Sequence, residues 1–438
     1  MTSTPNAAAR QRRSTAGAFV GTAIEWYDFF IFGTAAALVF GKVFFPEASP
    51  AVGLLASFAT FWVGFLARPL GGVLFGHLGD RFGRKNTLVA TLFLMGAGTT
   101  LIGLLPGYAT IGVAAPILLV ILRACQGLAV GGEWAGATLM ATENAREGKK
   151  GAAGAWVQQG SPAGSILATL MFLLVGGLPD EAFLSWGWRI PFLFSAVLLV
   201  VALLIRLKVE ESADFETAKA EKAVVKVPLF EVFRKSQSLV WLGIAASMMG
   251  ISVAFFNNTF VLAWTTTELD MPRKTVLNIL LVLAVVQFIW QPMAARLAER
   301  FGALQVMVGG LILNIVAVVP MFLAIISTNA VLIALAMSLT VLGGAAYYAM
   351  LANFLSAAFP ANVRYTGVAL ANGLCAALIG GSTPLIAQTI LNAFGPWGVA
   401  VFYALTAALT ILGVVGLHRK VVRNAALAAA APAAVSVM

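Results

Sequence analysis

Five ionisable side chains, Glu25, Asp28, Arg68, Arg123 and Glu133, stand inside stretches otherwise apolar enough to cross a bilayer, and all lie in the first third of the chain. A charge near the bilayer centre costs about 2.5 to 3.5 kcal/mol even on insertion scales, so such residues usually mark a proton, ion or solute path. Their chemistry is proton exchange and ion pairing. Glu25 and Asp28, three apart, share one broad face of a helix; carboxylates held close together in low dielectric, or beside a cation, can take a proton from one side and release it after a partner moves. Arg123 offers a planar donor fork suited to a carboxylate and stays charged when desolvated, with Gln126 and Gly127 on the same face. If Arg123 pairs with Asp28 in the empty state, protonating Asp28 frees the guanidinium for an anion, and proton and solute move together.

Each charge also fits a structural role. Asp28, Glu25 and Arg123 can form static bridges between helices. Arg68 lies ~18 Å before Asp80 along a helix, too deep to anchor at an interface, and suits a structural partner for one of the first-span carboxylates. Glu133 lies ~15 Å beyond Arg123 and about 80° around the helix, so it is read as a gate or further proton-coupling residue rather than a contact to the same ligand.

The elements that must position these residues follow from composition. The chain is 60% hydrophobic and 11% charged, with mean hydropathy +0.92, far from a soluble domain and right for a polytopic all-α membrane protein. Twelve spans are read at 16–42, 51–77, 87–105, 111–142, 151–178, 187–206, 237–265, 274–295, 303–325, 329–359, 365–392 and 397–418. With both termini cytoplasmic, Lys42, Arg189, Arg273 and Lys274 fall on the opposite side and Arg68 and Arg123 in the membrane, leaving every other Lys and Arg of the 28 inside. The net charge of +10 therefore reads as topology anchoring beside anionic lipid, with no nucleic-acid partner. The first span exceeds a signal-peptide core and is expected to persist. Cys125 and Cys375 sit in spans and suggest no disulfide; His77 and His418, at helix ends, give no metal-ligand spacing, so metal sites and cofactors are not expected.

The chain divides near its middle. A first six-span bundle (1–206) precedes a mixed-charge cytoplasmic linker (207–236) with Pro228; a second bundle (237–424) follows, then a disordered Ala-rich tail (425–438). Asp80-Arg81-Phe82-Gly83 after the second span recurs as Glu299-Arg300-Phe301-Gly302 after the eighth, and Gly131-Gly132 resembles Gly343-Gly344, the mark of two parallel halves. The loop from Gly76 through Asp80, Arg81 and Arg84 to Lys85 resembles the signature between helices 2 and 3 of the major facilitator superfamily. Its glycines permit a tight turn, and Asp80 can latch to a basic side chain or helix N-terminus in one state only, so Gly76, Asp80, Arg81, Arg84, Glu299 and Arg300 are read as gating residues.

Further segments narrow the resemblance: Glu25-Trp26-Tyr27-Asp28-Phe29, Ala67-Arg68-Pro69-Leu70-Gly71-Gly72, Arg123-Ala124-Cys125-Gln126-Gly127, Gly131-Gly132-Glu133-Trp134, Trp186 to Phe192 and Arg364-Tyr365-Thr366-Gly367. Together they resemble the metabolite:proton symporter family of shikimate, oxoglutarate, citrate and proline/betaine permeases, over almost the whole chain and most closely in the first half. The resemblance implies a major facilitator fold of two six-helix bundles, a multi-pass bacterial cytoplasmic (inner) membrane location and transport by alternating access.

Between their ends the second-half spans hold neutral polar groups instead of charges: Asn257, Asn258, Thr259, Gln287, Gln291, Tyr347, Tyr348, Asn353, Asn372, Ser382 and Thr383. An amide and aromatic half suits the body and hydroxyls of an organic acid, and a charged half its carboxylate. The expected substrate set is Arg123, Gln126, Tyr27, Gln159, Asn257, Gln287 and Tyr347, with proton coupling at Asp28, Glu25 and Glu133. Trp156, Gln159 and the second-half groups also fit plain helix-helix hydrogen bonding, and the Gly127-xxx-Gly131 and Gly132-xxx-Gly136 spacings are packing surfaces. The expected function is proton symport of a small organic anion, a monocarboxylate, by a functional monomer driven by the proton gradient. A zwitterionic osmolyte such as proline or betaine is the transport alternative, and a non-transporting receptor the alternative of another class. No phosphate loop or nucleophile constellation supports a primary pump or an enzyme.

Overall fold

A chain with this much apolar surface can satisfy its backbone in lipid only by forming helices, and the described residues contain helices and no strand. The computed structural model describes residues 5–82, 84–131, 158–207, 229–360 and 364–430. The first half contains α1 (Pro5–Ala35, continued by a π turn Ala36–Phe40 and Gly41–Phe44), α2 (Pro50–Phe82), α3 (Arg84–Leu104), α4 (Ala114–Val130), α5 (Gly160–Gly176) and α6 (Arg189–Leu207). The second contains α7 (Leu229–Phe255, π turn Phe256–Val261, then Leu262–Thr267), α8 (Arg273–Phe301), α9 (Ala303–Ile326) and α10 (Ala330–Ala358). Helix α11 starts as Arg364–Cys375 with a π turn Ala376–Gly380, and one helical run, Thr383–Ala430, carries it into α12. Gly395, at φ 70°, breaks that run, and Pro396 restarts it, the usual glycine-stop, proline-start order. Among the described residues, apart from the short helices Tyr108–Ile111 and Asp180–Ala182, these make twelve helices in two six-helix bundles.

The three largest boundary differences from the sequence reading are at α1, α7 and α12. α1 begins at Pro5 instead of near 16, α7 takes in residues 229–236 of the expected linker, and α12 runs to Ala430 through the first residues of the expected disordered tail. Alanine is the best helix former, so the Ala-containing flanks of α1 and α12 extend a helix already nucleated in the bilayer. Glu133, Trp134 and Trp156 lie outside the described residues.

Small residues set the spacing within each half. A Cβ on Gly71 would overlap the Leu128 carbonyl, one on Gly127 the Gly64 carbonyl, and one on Gly131 the Arg68 carbonyl, so α2 and α4 touch backbone to backbone. Gly310 of α9 and Gly343 of α10 do the same in the second half. Pro69 sits inside α2 without ending it. Large apolar side chains such as Leu174, Val200, Leu335 and Leu412 point outward, as a lipid-facing surface requires.

The halves meet at the end remote from the termini through the π turns. Phe256–Val261 packs on α1, and Ala376–Gly380 packs on α2, where the Trp62 indole donates to Ala377 O at 2.6 Å. Such turns leave the regular i to i−4 ladder and recur at functional sites.

Candidate functional site

Four of the five intramembrane charges are described, and they form two groups inside the first bundle. Glu25 of α1 lies 3.6 Å from the Arg68 guanidinium of α2. Asp28, 2% exposed, accepts from Thr99 Oγ1 of α3 at 2.9 Å and from Ser195 Oγ of α6 at 2.8 Å. Three residues place the two carboxylates about 60° apart around the helix, enough to give them separate partners.

Arg123 of α4, 1% exposed, does not pair directly with Asp28. Its Nη1 donates to Gln126 Oε1 at 3.2 Å, Gln126 Nε2 donates to Thr99 Oγ1 at 2.6 Å, and Thr99 reaches Asp28. Cation and carboxylate are thus joined by a chain whose donors all run from arginine towards the acid. The direct Arg123–Asp28 pair expected from sequence is replaced because Thr99 and Ser195 already occupy the carboxylate. The guanidinium lies 4.1 Å from the Phe32 ring centre and 4.7 Å from that of Phe29. Its Nη2 is buried and has no hydrogen-bond partner among the described residues. Arg68 stacks on Phe29 and Phe65 at 4.2 and 4.5 Å. Phe29 therefore carries both cations, an arrangement favourable in a desolvated site.

Aromatic rings separate this network from the second half. Phe61 and Phe65 each stand about 5 Å from the Phe255 ring of α7, and Trp26 stacks on Phe255 at 5.9 Å. Beside that wall, between the halves, lies a polar-lined space of about 570 Å³, open solvent included. Phe30, Ser161 and Ser165 line it from the first half; Asn257, Asn258, Gln287 and Tyr348 supply its polar lining from the second. Ser165 Oγ donates across the seam to Asn258 Oδ1 at 3.3 Å.

Of the residues expected to meet a solute, Asn257 and Gln287 line the cavity. Gln159 instead bridges the halves, donating to Phe288 O at 2.8 Å. Tyr27 and Tyr347 are fully buried, their hydroxyls spent on Pro191 O at 2.7 Å and on Ala246 O, because a buried phenol must find a partner. One residue further along α10, about 100° around it, Tyr348 takes the cavity position. Arg123 and Gln126 stand behind the aromatic wall rather than on the cavity. Gly76, Asp80 and Arg81 fall in the last turns of α2 and Arg84 opens α3; their side chains lie outside the described set. Glu299 and Arg300 are exposed at the end of α8, where Gly302, at φ 92°, donates to Ala298 O and closes the helix.

Sequence reasoning missed Thr99, Ser195, Ser161, Ser165 and Arg273. At the end remote from the termini, Arg273 of α8 donates to Gly176 O at 2.9 Å, to Leu178 O and to Asp180 Oδ1 at 2.6 Å, and stacks 4.1 Å over Phe183. All four partners belong to the first half. The available signal was one basic residue standing where the positive-inside rule leaves few.

Two six-helix bundles around a polar cavity, with ionisable groups buried in one of them, are the architecture of a membrane carrier. Residues 18–384 match the Major Facilitator Superfamily, and the chain belongs to that family. It is 40% identical to the shikimate transporter of Escherichia coli K12 over 405 residues, covering 91% of this chain and 92% of the relative. An inner membrane metabolite transport protein of the same strain, YhjE, is also 40% identical, over 91% and 92% of the two chains. The proline/betaine transporter of that strain is 32% identical over 97% of this chain and 86% of its own. Among solved structures, a D-xylose-proton symporter superposes with a TM-score of 0.73 at 18% identity, covering 91% of this chain and 96% of that one. The chain is a multi-pass membrane transporter of this family, not an enzyme.

Proposed function

We propose that this carrier is a symporter of protons and a small organic anion, a monocarboxylate of the shikimate type. It would work as a monomer by alternating access in the bacterial inner membrane, with both termini cytoplasmic and the proton gradient in place of any cofactor. The observation that carries the reading is the buried chain from Arg123 through Gln126 and Thr99 to Asp28. It joins a cation with an unused N–H to a carboxylate that a proton can neutralise. A proton on Asp28 removes the counter-charge of Arg123, and an anion can then replace it. In this division the first bundle handles charge, and the second, beyond the linker, recognises shape through Asn257, Asn258, Gln287 and Tyr348. The shikimate and metabolite transporters among its relatives support the solute class, and the confinement of most Lys and Arg to one side supports the orientation.

A zwitterionic osmolyte is the second reading, favoured by the proline/betaine relatives. Recognition of a quaternary amine uses an aromatic cage, whereas the cavity lining offers two aromatic residues, Phe30 and Tyr348, among several amides and hydroxyls. The test is uptake of shikimate into proteoliposomes under an imposed pH gradient, with betaine in parallel. Shikimate accumulation should collapse in Asp28→Asn while shikimate counterflow partly survives, and Arg123→Gln should lose shikimate binding steeply. Undiminished gradient-driven accumulation in Asp28→Asn would remove Asp28 from coupling. Accumulation of betaine without shikimate would select the second reading.

A further inference from the structure

A coupling carboxylate must be comfortable in two protonation states, and each state makes a different demand on a buried site. Ionised, Asp28 needs donors, which Thr99 and Ser195 supply. Neutral, it carries an O–H that needs an acceptor, and a buried donor without one is costly. Both neighbours are hydroxyls, each with one proton and two lone pairs. What separates them is where else their protons can go. The Thr99 hydroxyl lies 2.9 Å from Asp28 Oδ2 and 3.0 Å from Met95 O, one turn back in α3. Ser195 has Asp28 Oδ1 as its acceptor. The carbonyl one turn back from Ser195 is Pro191 O, which takes the Tyr27 hydroxyl instead.

We infer that Thr99 is the rotor that lets Asp28 change protonation state without rearranging the bundle, and that Tyr27 and Ser195 hold the carboxylate in register with it. This rests on Asp28 being the coupling site. When hydronium delivers a proton, one of its O–H bonds breaks, the Oδ2–H bond forms and water is left. Thr99 turns its own proton to Met95 O and accepts from Asp28, while still accepting from Gln126 Nε2. The threonine oxygen then makes three hydrogen bonds and none of its neighbours is left unpaired. The same turn reverses the last link from Arg123, so the donor chain no longer ends on a negative charge.

The charged and titratable groups facing Asp28 do not duplicate this role. On α1, Glu25 is committed to Arg68 of α2 and Tyr27 to Pro191 O; on α4, Arg123 reaches the acid through Gln126 and Thr99. On α3 the ionisable residues Arg84 and Lys85 are at one end of the helix, and on α6 Arg189 and Arg206 are at the two ends, Arg189 spent on Gly103 O and Leu105 O. The described length of α5 has none.

Infrared difference spectroscopy of the purified full chain in lipid nanodiscs, titrated with pH, reads the acid directly. The carboxylic carbonyl band that disappears in Asp28→Asn is that of Asp28. A carboxylic carbonyl stretch rises as the acid loses hydrogen bonds, so the band should move to higher wavenumber in Thr99→Val and, as a second variant of different size, in Thr99→Ala. Thr99→Ser, which keeps the rotor, should hold the wild-type position. A band unmoved in both Val and Ala variants would overturn the rotor while leaving Asp28 as the coupling site. A wild-type protein with no titrating Asp28 band would overturn both.

Discussion

Removing the Arg273 side chain tests how the two halves are held together at the end remote from the termini. Every partner of Arg273 is in the opposite half, so Arg273→Ala should favour states in which that end is open. The magnitude follows from the contacts. Two charge-assisted bonds to the Gly176 and Leu178 carbonyls contribute about 1 kcal/mol each after discounting for partial exposure. The Asp180 carboxylate is 79% exposed, so that pair adds at most about 0.5 kcal/mol, and the stack on Phe183 about 0.5 kcal/mol more. Together these give about 3 kcal/mol, or roughly 150-fold in the ratio of closed to open populations. Arg273→Lys keeps a point charge but loses the fork that spans two carbonyls and a carboxylate, and should fall between. Spin labels at Ala109→Cys and Ser327→Cys, both exposed at that end, in a background with Cys125 and Cys375 replaced by serine, would report the separation by pulsed electron resonance. A broadened, longer distance distribution in Arg273→Ala is expected. A distribution identical to that of the parent would show that the arginine braces one conformation no more than another, and would refute the latch.

Glu25→Gln should lower the melting temperature in detergent, because it strips Arg68 of a 3.6 Å partner in a largely buried site, a loss of about 3 kcal/mol; adding Arg68→Met should recover most of it, and no recovery would make the pair more than a structural bridge. Gly71→Ala should abolish folded protein on size-exclusion chromatography, since its Cβ has only the Leu128 backbone to occupy. Gly177→Ala, with nothing within 4 Å of the new methyl, should melt like the parent. Gly395→Ala, equally uncrowded but at φ 70° and ψ −172°, a region essentially reserved for glycine, should cost about 1 to 3 kcal/mol through backbone strain alone.

Apolar run lengths and the repeated Arg-Phe-Gly ending were enough to read the twelve helices and their division into halves, because lipid leaves the backbone so few options. The ends of α1, α7 and α12 were less legible. There the hydrophobic signal stops and helix propensity alone decides. The first-half charges were visible because each is anomalous in its span, and Arg68 was readable as a partner for a first-span carboxylate. Which carboxylate it takes depends on a 60° difference around α1, and spacing along one helix does not say what stands opposite. Thr99 gave no such signal. Most span hydroxyls in this chain bond back one turn, as Thr60 does to Ala56 O and Thr100 to Gly96 O, and only the arrival of Gln126 and Asp28 from other helices gives Thr99 a second function. Tyr347 and Tyr348 could be told apart only by the rotation of α10.

The aromatic wall sets a requirement for any coupling between the two sites. Asn257 and Asn258 face the cavity while Phe255, two residues back, closes on Phe61 and Phe65 in front of Arg123. Thr259, two residues on, lies so close to Gly33 of α1 that a methyl group there would strike its hydroxyl. Wall, cavity lining and the contact with α1 thus fall on five consecutive residues, Phe255 to Thr259, most of them in the π turn of α7. A regular α-helix would space these side chains 100° apart in an unbroken ladder, whereas a π turn admits an extra residue and can pass along the helix as the ladder re-forms. On the proposed reading, an anion gripped by Asn257 and Asn258 can reach Arg123 only if Phe255 withdraws, and the same displacement of α7 alters the Thr259 contact with Gly33 of α1, about one and a half turns from Asp28. Solute and proton sites are then joined mechanically through one segment, which explains how a neutral second half can take part in a charge-driven cycle.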